Sequence, residues 1–200
     1  MRDGNPIDDC WRCDADWVNN RQRLADCAIG FGKDAMGGKV GRIYVATDSS
    51  DDDPANPKRG TLRHAVIQDQ PLWITFQHEM IITLKQQLVM NSYKTIDGRG
   101  ASVHITGGGC ITVHNVNNII IHASTYTTVS LSRLTKPFRI WEMSDGDGIT
   151  IRGLKHIWVD HCSLAKCYDG LIDATLASTA ITMFNNYMTH HNKVRLLGRI

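Results

Sequence analysis

Two stretches, ITVHNVNNIIIH at residues 111–122 and ITIRGLKHIWVDH at residues 149–161, decide the fold class. Each contains a short strand rich in β-branched residues, a tight polar turn and a second short strand. A looser copy, AITMFNNYMTHH, follows at residues 180–191. A spacing of roughly 30 residues, with strands too short to form a self-sufficient sheet, indicates a solenoid of stacked coils. An antiparallel β-sandwich is the weaker alternative, since few hairpin-type turns separate these strands.

The inward positions of these strands are expected to stack as aliphatic columns that run from coil to coil. These positions are Ile111, Val113, Ile149, Ile151, Ile181 and Met183. Asn185 and Asn186 follow a strand directly, where amide side chains are suited to hydrogen bonding between coils at a turn. The sequence therefore predicts an all-β protein.

The region before the repeats has a different character. Residues 14–30 place apolar side chains near one helical face, with Asp14 or Asp16 as the N-cap and Gly30 as the stop, which predicts one short helix. A Gly-, Pro- and Asp-rich stretch follows, interrupted by a predicted strand over Arg42–Thr47. The acidic run at residues 51–53 is interpreted as a solvated loop, because three adjacent carboxylates seldom converge on a metal ion.

Composition restricts the class of protein. The 200 residues include 22 basic and 20 acidic side chains, so the net charge is +2, unlike the dense positive charge of a nucleic-acid binder. The length and the 42% hydrophobic content predict one domain over residues 1–200. The sequence contains no apolar run long enough to cross a bilayer, and its first residues lack the apolar core of a signal peptide. We therefore expect no membrane partner, and no export signal is encoded in these residues.

Six cysteines suggest an oxidising compartment. Cys10 and Cys13 could form a redox pair or half of a zinc site, but no flanking strand and helix and no second ligand pair accompany them. A structural disulfide from Cys10 or Cys13 to Cys27 is the favoured interpretation. It would staple a short N-terminal helix to the body of the protein, which makes residues 1–30 a disulfide-stapled helical segment.

The densest group of acidic residues lies late in the chain. Asp145 and Asp147 stand in SDGDGIT, and Asp169 and Asp173 stand in YDGLIDA. Residues two apart on an extended segment point the same way, and the 24-residue step from 145 to 169 is about one coil of a solenoid. Carboxylates gathered in this way suit Ca²⁺, although a polar turn is the alternative reading of the pattern taken alone.

Several stretches, in order along nearly the whole chain, resemble the plant branch of the pectate lyase family, which includes pollen allergens. They include NPIDDCWRCDADWVNNRQRLADCAIGFG, NSYKTIDGRG, SDGDGITI, IWVDHCSL, DGLIDATLASTAIT and HHNKVRLLG. The resemblance implies a right-handed parallel β-helix, secretion to the plant cell wall and action as a monomer. It also implies calcium-dependent cleavage of de-esterified (1→4)-α-D-galacturonan (pectate) by β-elimination.

The resemblance assigns roles to individual positions. The family's calcium carboxylates fall on Asp145, Asp169 and Asp173, with Asp147 as a further ligand. Its substrate-binding lysine falls on Lys193, where a cation could pair with a uronate carboxylate. Asp160 and His161 match the family's signature and are read as structural residues that hold a turn. His190 and His191 are read as wall or turn residues.

The sequence departs from the family in two respects. The family's catalytic base is an arginine in an arginine-proline pattern on a later coil, and no such pattern occurs up to Ile200. Arg195 and Arg199 do not stand in that context, so we expect this chain to be a truncated solenoid without lyase activity. Residues 123–144 also diverge and lack the cysteine that would pair with Cys110, which predicts that Cys110 is free.

Three functional hypotheses remain open. The chain is part of a calcium-dependent lyase, or a non-catalytic calcium- and pectate-binding wall protein of the allergen type, or a degenerate gene product. A galacturonan hydrolase on the same fold is a weaker hypothesis, because hydrolysis needs an acid and a base carboxylate around a water, and that family's motifs do not occur.

Overall fold

The computed structural model describes residues 4–107, 111–123, 125–127 and 146–198. Two short α-helices, α1 (Pro6–Trp11) and α2 (Leu62–Val66), and two 3₁₀ segments, Arg21–Cys27 and Gly30–Gly32, accompany the strands. The strands are β1 (Arg42–Ala46), β2 (Leu72–Phe76), β3 (Met80–Leu84), β4 (Leu88–Val89), β5 (Lys94–Asp97), β6 (Val103–Gly107), β7 (Ile111–His114), β8 (Asn117–His122), β9 (Thr125–Thr127), β10 (Ile149–Arg152), β11 (Lys155–Asp160), β12 (Ser163–Ala165), β13 (Ile172–Thr175), β14 (Ile181–Phe184), β15 (Tyr187–Thr189) and β16 (Arg195–Leu197).

The strands form three parallel sheets that the chain visits in rotation. Sheet I has the order β1-β2-β5-β8-β11-β14, sheet II the order β16-β13-β10-β7-β4, and sheet III the order β15-β12-β9-β6-β3. From β2 onward each coil contributes one strand to each sheet, and β1 adds a sixth strand to sheet I beside β2. The fold is a right-handed parallel β-helix, as predicted.

Aliphatic columns fill the interior of the solenoid. In sheet II, Ile111 lies in register with Ile149, which in turn lies in register with Ile172, and all three are fully buried. Ile181 and Met183 also stack inward, as predicted, and pack against the interior core, but in another column. Both belong to β14 in sheet I, in register with Ile157 and Val159 of β11, and both are only half-buried.

The N-terminal segment is less helical than predicted. Residues 14–30 do not form one helix: the α-helix is α1, capped by Asn5, whose side chain accepts hydrogen bonds from the next helical N–H groups. Asp14 accepts instead from Asp16 N and from the side chains of Asn20 and Arg23, so it holds a turn. These local bonds compete with a helix, as Asp and Asn side chains commonly do.

A second apolar cluster joins this segment to the outer face of sheet I. Ile7 and Leu24 are buried together with Trp73, Ile120 and Trp158 of sheet I. The cluster is separate from the interior columns of the solenoid, so the segment forms a layer outside the coils.

The disulfide prediction is confirmed, with Cys10 bonded to Cys27 and Cys13 exposed as a free thiol. The bond links α1 to the 3₁₀ segment Arg21–Cys27. The prediction for Cys110 lies outside the described residues.

The acidic run at residues 51–53 is only partly solvated, which corrects the sequence interpretation. Asp51 is buried and accepts hydrogen bonds from the Arg63 guanidinium and from Lys85 N. Asp52 and Asp53 are exposed. A buried carboxylate needs such partners because leaving water is costly for an unpaired charge.

Candidate functional site

Three of the four predicted calcium carboxylates gather around Gly170. An added Cβ on Gly170 would stand 2.6 Å from Asp173 Oδ1 and 2.9 Å from Asp147 Oδ1. Gly170 N also donates to Asp147 Oδ1 at 2.8 Å. Asp169 is the preceding residue, so the absence of a side chain at Gly170 lets the acidic groups converge.

The strands of sheet II set this arrangement. Thr150 in β10 lies in register with Asp173 in β13, and Thr150 Oγ1 donates to Asp147 Oδ2 at 2.9 Å. Asp173 Oδ1 accepts from Leu196 N of β16 at 2.8 Å. Since neighbouring residues of β10 and β13 point into the core, Thr150 and Asp173 stand on the outer face of the sheet.

Lys193 closes the cluster on its exposed side. Its Nζ donates to Asp169 Oδ1 at 2.7 Å, and both side chains remain largely in solvent. The hydrogen bond and charge of Asp169 raise the pKa of Lys193, so the ammonium stays charged. His191 Nε2 contacts Asp169 O, in agreement with a wall or turn role for this residue.

The structure therefore brings together Asp147, Asp169, Asp173 and Lys193, while the predicted ligand Asp145 lies outside the described residues. The carboxylate oxygens are the hard ligands that Ca²⁺ prefers. Asp147 is buried, whereas Asp169 faces solvent, so the cluster has one anchored and one accessible carboxylate.

Tyr168 lies beside the acidic cluster, and the sequence analysis did not identify it as a candidate site residue. Its backbone N–H donates to Gly146 O at 2.9 Å, and its ring is 73% exposed. The only available sequence signal was its position directly before Asp169. That position alone does not say where the ring points.

Asp160 and His161 occupy a different place, beneath the N-terminal layer. His161 donates from Nδ1 to Asp160 Oδ2 at 2.7 Å and from Nε2 to Asp8 Oδ2 at 3.2 Å. His122 Nδ1 lies 2.9 Å from the same Asp160 oxygen. These contacts support the predicted structural role, because they tie α1 to the ends of β8 and β11.

The charges of this buried group follow from its contacts. The hydrogen bond to Asp160, together with Asp8, raises the pKa of His161. Burial lowers the pKa of His122, although Asp160 opposes this effect. Burial alone would raise the pKa of Asp160, but the hydrogen bonds from both histidines outweigh it and lower the pKa. The group is therefore a buried carboxylate that is stabilised by its contacts with both histidines.

A second ion-pair network lies nearby under the same layer. Asp97 is fully buried and accepts from Arg99, Arg21 and Trp73 Nε1. The Arg99 guanidinium also lies about 5 Å from the rings of Trp11 and Trp17. These contacts fasten the N-terminal layer, and the described residues of this network do not line the acidic cluster around Gly170. In the described part of the chain, no helix has the length and apolar character needed to cross a bilayer.

Comparison with known proteins gives a consistent picture. Residues 79–200 match the family model described as pectate lyase. The chain is 62% identical over 201 residues to "Probable pectate lyase 18" of Arabidopsis thaliana, covering 98% of this chain and 49% of that protein. It is also 62% identical over 201 residues to "Pectate lyase" of Zinnia elegans, covering 98% and 50%. The chain thus spans about half the length of the curated relatives it matches.

Solved structures agree on the fold. The crystal structure of jun a 1, the major allergen from cedar pollen, superimposes with a TM-score of 0.87 at 46% identity, over 97% of this chain and 58% of that one. A pectate lyase (pelN) from Paenibacillus sp. 0602 has a TM-score of 0.52 at 17% identity, over 78% and 40%, a likeness that extends to the fold alone. The acidic cluster on a parallel β-helix and the match over residues 79–200 lead to one conclusion: this chain belongs to the pectate lyase family.

Proposed function

We propose that this chain carries the calcium- and pectate-binding part of a calcium-dependent pectate lyase. The observation that supports the proposal is the convergence of Asp147, Asp169 and Asp173 around Gly170, with Lys193 beside them. The reaction is eliminative cleavage of de-esterified (1→4)-α-D-galacturonan, outside the cell in the plant wall. We further propose that the protein acts as a monomer.

The acidic cluster fits a calcium ion by the chemistry of its donors. Asp147, Asp169 and Asp173 would hold the ion, and Asp145 completes the proposed ligand set. When bound, Ca²⁺ supplies positive charge that stabilises the uronate carboxylate as the neighbouring proton leaves. Hydrogen bonds from Gly170 N and Thr150 fix Asp147 in place, so that carboxylate is oriented before any ligand arrives.

Lys193 is the proposed contact for the substrate. Its ion pair with Asp169 is exposed, and exposed pairs contribute little to stability. The flexible ammonium is therefore able to turn from Asp169 toward the carboxylate of a uronate residue. Its raised pKa keeps it cationic for that role.

Elimination also needs a base to remove the proton next to the carboxylate. In the family this base belongs to an arginine-proline pattern, and these 200 residues contain no such pattern. The proposed residues therefore bind and orient the substrate and stabilise charge. We expect the chain assayed alone to form no unsaturated product from polygalacturonate, because loss of a general base costs about a hundred- to ten-thousand-fold in rate. Absorbance of the unsaturated product, with calcium at alkaline pH, measures this against a heat-inactivated control.

Two other functions remain as alternatives. A non-catalytic calcium- and pectate-binding wall protein would bind oligogalacturonate without cleaving it, and the missing arginine-proline pattern favours this alternative for the chain by itself. A degenerate gene product would bind neither calcium nor pectate. If the 200-residue chain shows lyase activity, by contrast, one of these residues must act as the catalytic base.

The binding site is tested by removing its charge. The double variant Asp169→Asn and Asp173→Asn should abolish calcium-dependent binding of polygalacturonate in calorimetric titrations. The matched control changes the exposed Asp52 and Asp53 to Asn, which removes the same formal charge from a loop near β4, three strands from β13 in sheet II. An unchanged titration in the first variant, or equal losses in both, would contradict the proposed site.

A further inference from the structure

Tyr168 presents an exposed aromatic ring at the edge of the acidic cluster. It lies in the loop between β12 and β13, directly before Asp169, and 73% of its surface is accessible. Its backbone N–H and that of Asp169 both donate to Gly146 O, at 2.9 and 3.1 Å. The loop is therefore fastened at this point, and Tyr168 is held beside the cluster.

The Tyr168 side chain packs closely against the backbone at Gly146. Tyr168 Cδ1 and Cβ lie 2.8 and 3.0 Å from the position that a Cβ on Gly146 would occupy. Gly146 has a φ of +88°, a conformation that favours glycine, and its hydrogen permits this close approach. One edge of the ring is braced against backbone, while most of its surface remains open to solvent.

The ring also lies close to the proposed substrate contact. Tyr168 directly precedes Asp169, whose Oδ1 accepts a hydrogen bond from Lys193 Nζ at 2.7 Å. Tyr168 thus stands beside Asp169 and its partner Lys193, whose side chains are exposed to solvent.

We propose that Tyr168 is a sugar-binding platform whose ring packs against the C–H face of a galacturonate residue. A pyranose ring has an apolar C–H face that gains from contact with an aromatic surface, while its hydroxyl and carboxylate groups stay in water. Tyrosine provides this surface at low entropic cost, because only two side-chain torsions need ordering. The contact with the backbone at Gly146 already restricts these torsions. The inference rests on the proposed function, since it assigns a second contact to the same substrate.

Charge alone would not position a flexible polyanion. Calcium and Lys193 attract carboxylates, which recur along the polymer, so they do not by themselves orient one sugar. An aromatic platform fixes the tilt of the sugar ring next to the carboxylate contact. Tyr168 therefore supplies orientation, and the acidic cluster and Lys193 supply the attraction.

The test compares oligogalacturonate affinity at a fixed calcium concentration, measured by calorimetry on the whole 200-residue chain. Tyr168→Ala should weaken binding about five- to tenfold, and Tyr168→Phe should stay within about twofold of the original, because the ring surface remains. Tyr187→Ala is the matched control, since Tyr187 is 66% exposed but lies on β15 in sheet III. It should leave the affinity unchanged.

The outcomes separate this inference from the proposed function. Equal affinity in Tyr168→Ala and the original chain overturns the platform, as does an equal loss in Tyr168→Ala and Tyr187→Ala. If Asp173→Asn abolishes binding while Tyr168→Ala does not weaken it, only the platform is wrong. If the original chain with calcium binds no oligogalacturonate, the proposed function and the platform both fail. If Tyr168→Phe loses as much affinity as Tyr168→Ala, the effect belongs to the hydroxyl group, and this result also contradicts stacking of the ring.

Discussion

Replacing Gly170 by alanine would test the acidic cluster with a single methyl group. The new Cβ would stand 2.6 Å from Asp173 Oδ1 and 2.9 Å from Asp147 Oδ1, whereas ordinary contact begins at 3.4 Å. To reach ordinary contact, the two oxygens would have to retreat by about 0.8 and 0.5 Å. The φ of Gly170 is not in the positive region, so the backbone itself accepts alanine.

The expected effect on calcium follows from these displacements. Calcium–oxygen distances span only about 0.3 Å, which is less than either displacement. Asp173 is also held by Leu196 N, and Asp147 by Thr150, so neither carboxylate moves without losing a hydrogen bond. We expect the calcium affinity to fall about tenfold or more, which corresponds to about 1.4 kcal/mol.

The assay is calorimetric titration of calcium in the presence of oligogalacturonate, with thermal unfolding measured on the same samples. Gly153→Ala serves as the control, because Gly153 has a φ of +65° and its nearest neighbour would be Asn115 Oδ1 at 3.4 Å. That variant carries a backbone cost of about 1–2 kcal/mol but does not push on a carboxylate. Unchanged calcium affinity in folded Gly170→Ala would refute the cluster as a calcium site, and so would an equal loss in Gly153→Ala.

The remaining predictions concern the N-terminal layer. Cys10→Ser should lower the free energy of unfolding by about 3 kcal/mol in denaturant titrations, because the bond to Cys27 closes a loop with a sequence separation of 17. Cys13→Ser should have little effect, and equal stability of all three proteins would contradict the prediction. The raised pKa of His161 predicts stability that is fully present below its ordinary pKa of 6.5 and lost as the pH rises through the raised value. The difference in unfolding free energy between the original chain and His161→Gln should therefore shrink as the pH rises. A difference that stays constant with pH would show that the charge on His161 does not stabilise the fold.

Much of the fold was predictable because it repeats. Ile111 and Ile149 occupy equivalent places in similar blocks, and stacking buries equivalent residues on one another whichever coil they occupy. The sequence did not show that Ile181 stacks in sheet I while Ile149 stacks in sheet II, because a strand followed by a polar turn looks alike in each of the three sheets. Only the path of the chain decides which sheet a strand joins.

The site was predicted less completely than the fold. Asp147, Asp169 and Asp173 were recognisable from their residue type, spacing and family pattern. The role of Gly170 as the point of convergence was not, since the missing side chain matters only when coils stack around it. The pairing of Lys193 with Asp169 likewise joins residues in adjacent coils.

The sequence by itself determined the solenoid class and the short strands. It also determined that a disulfide to Cys27 closes the N-terminal segment, and which acidic residues could bind a metal ion. These features depend on local patterns and on the chemistry of single residue types, which the order of residues carries directly. Tertiary structure alone decided where the N-terminal layer packs, how His161 joins Asp160 to Asp8, and which way Tyr168 faces. Those features depend on contacts between distant segments, whose energies arise only once the coils are stacked and the charges leave water.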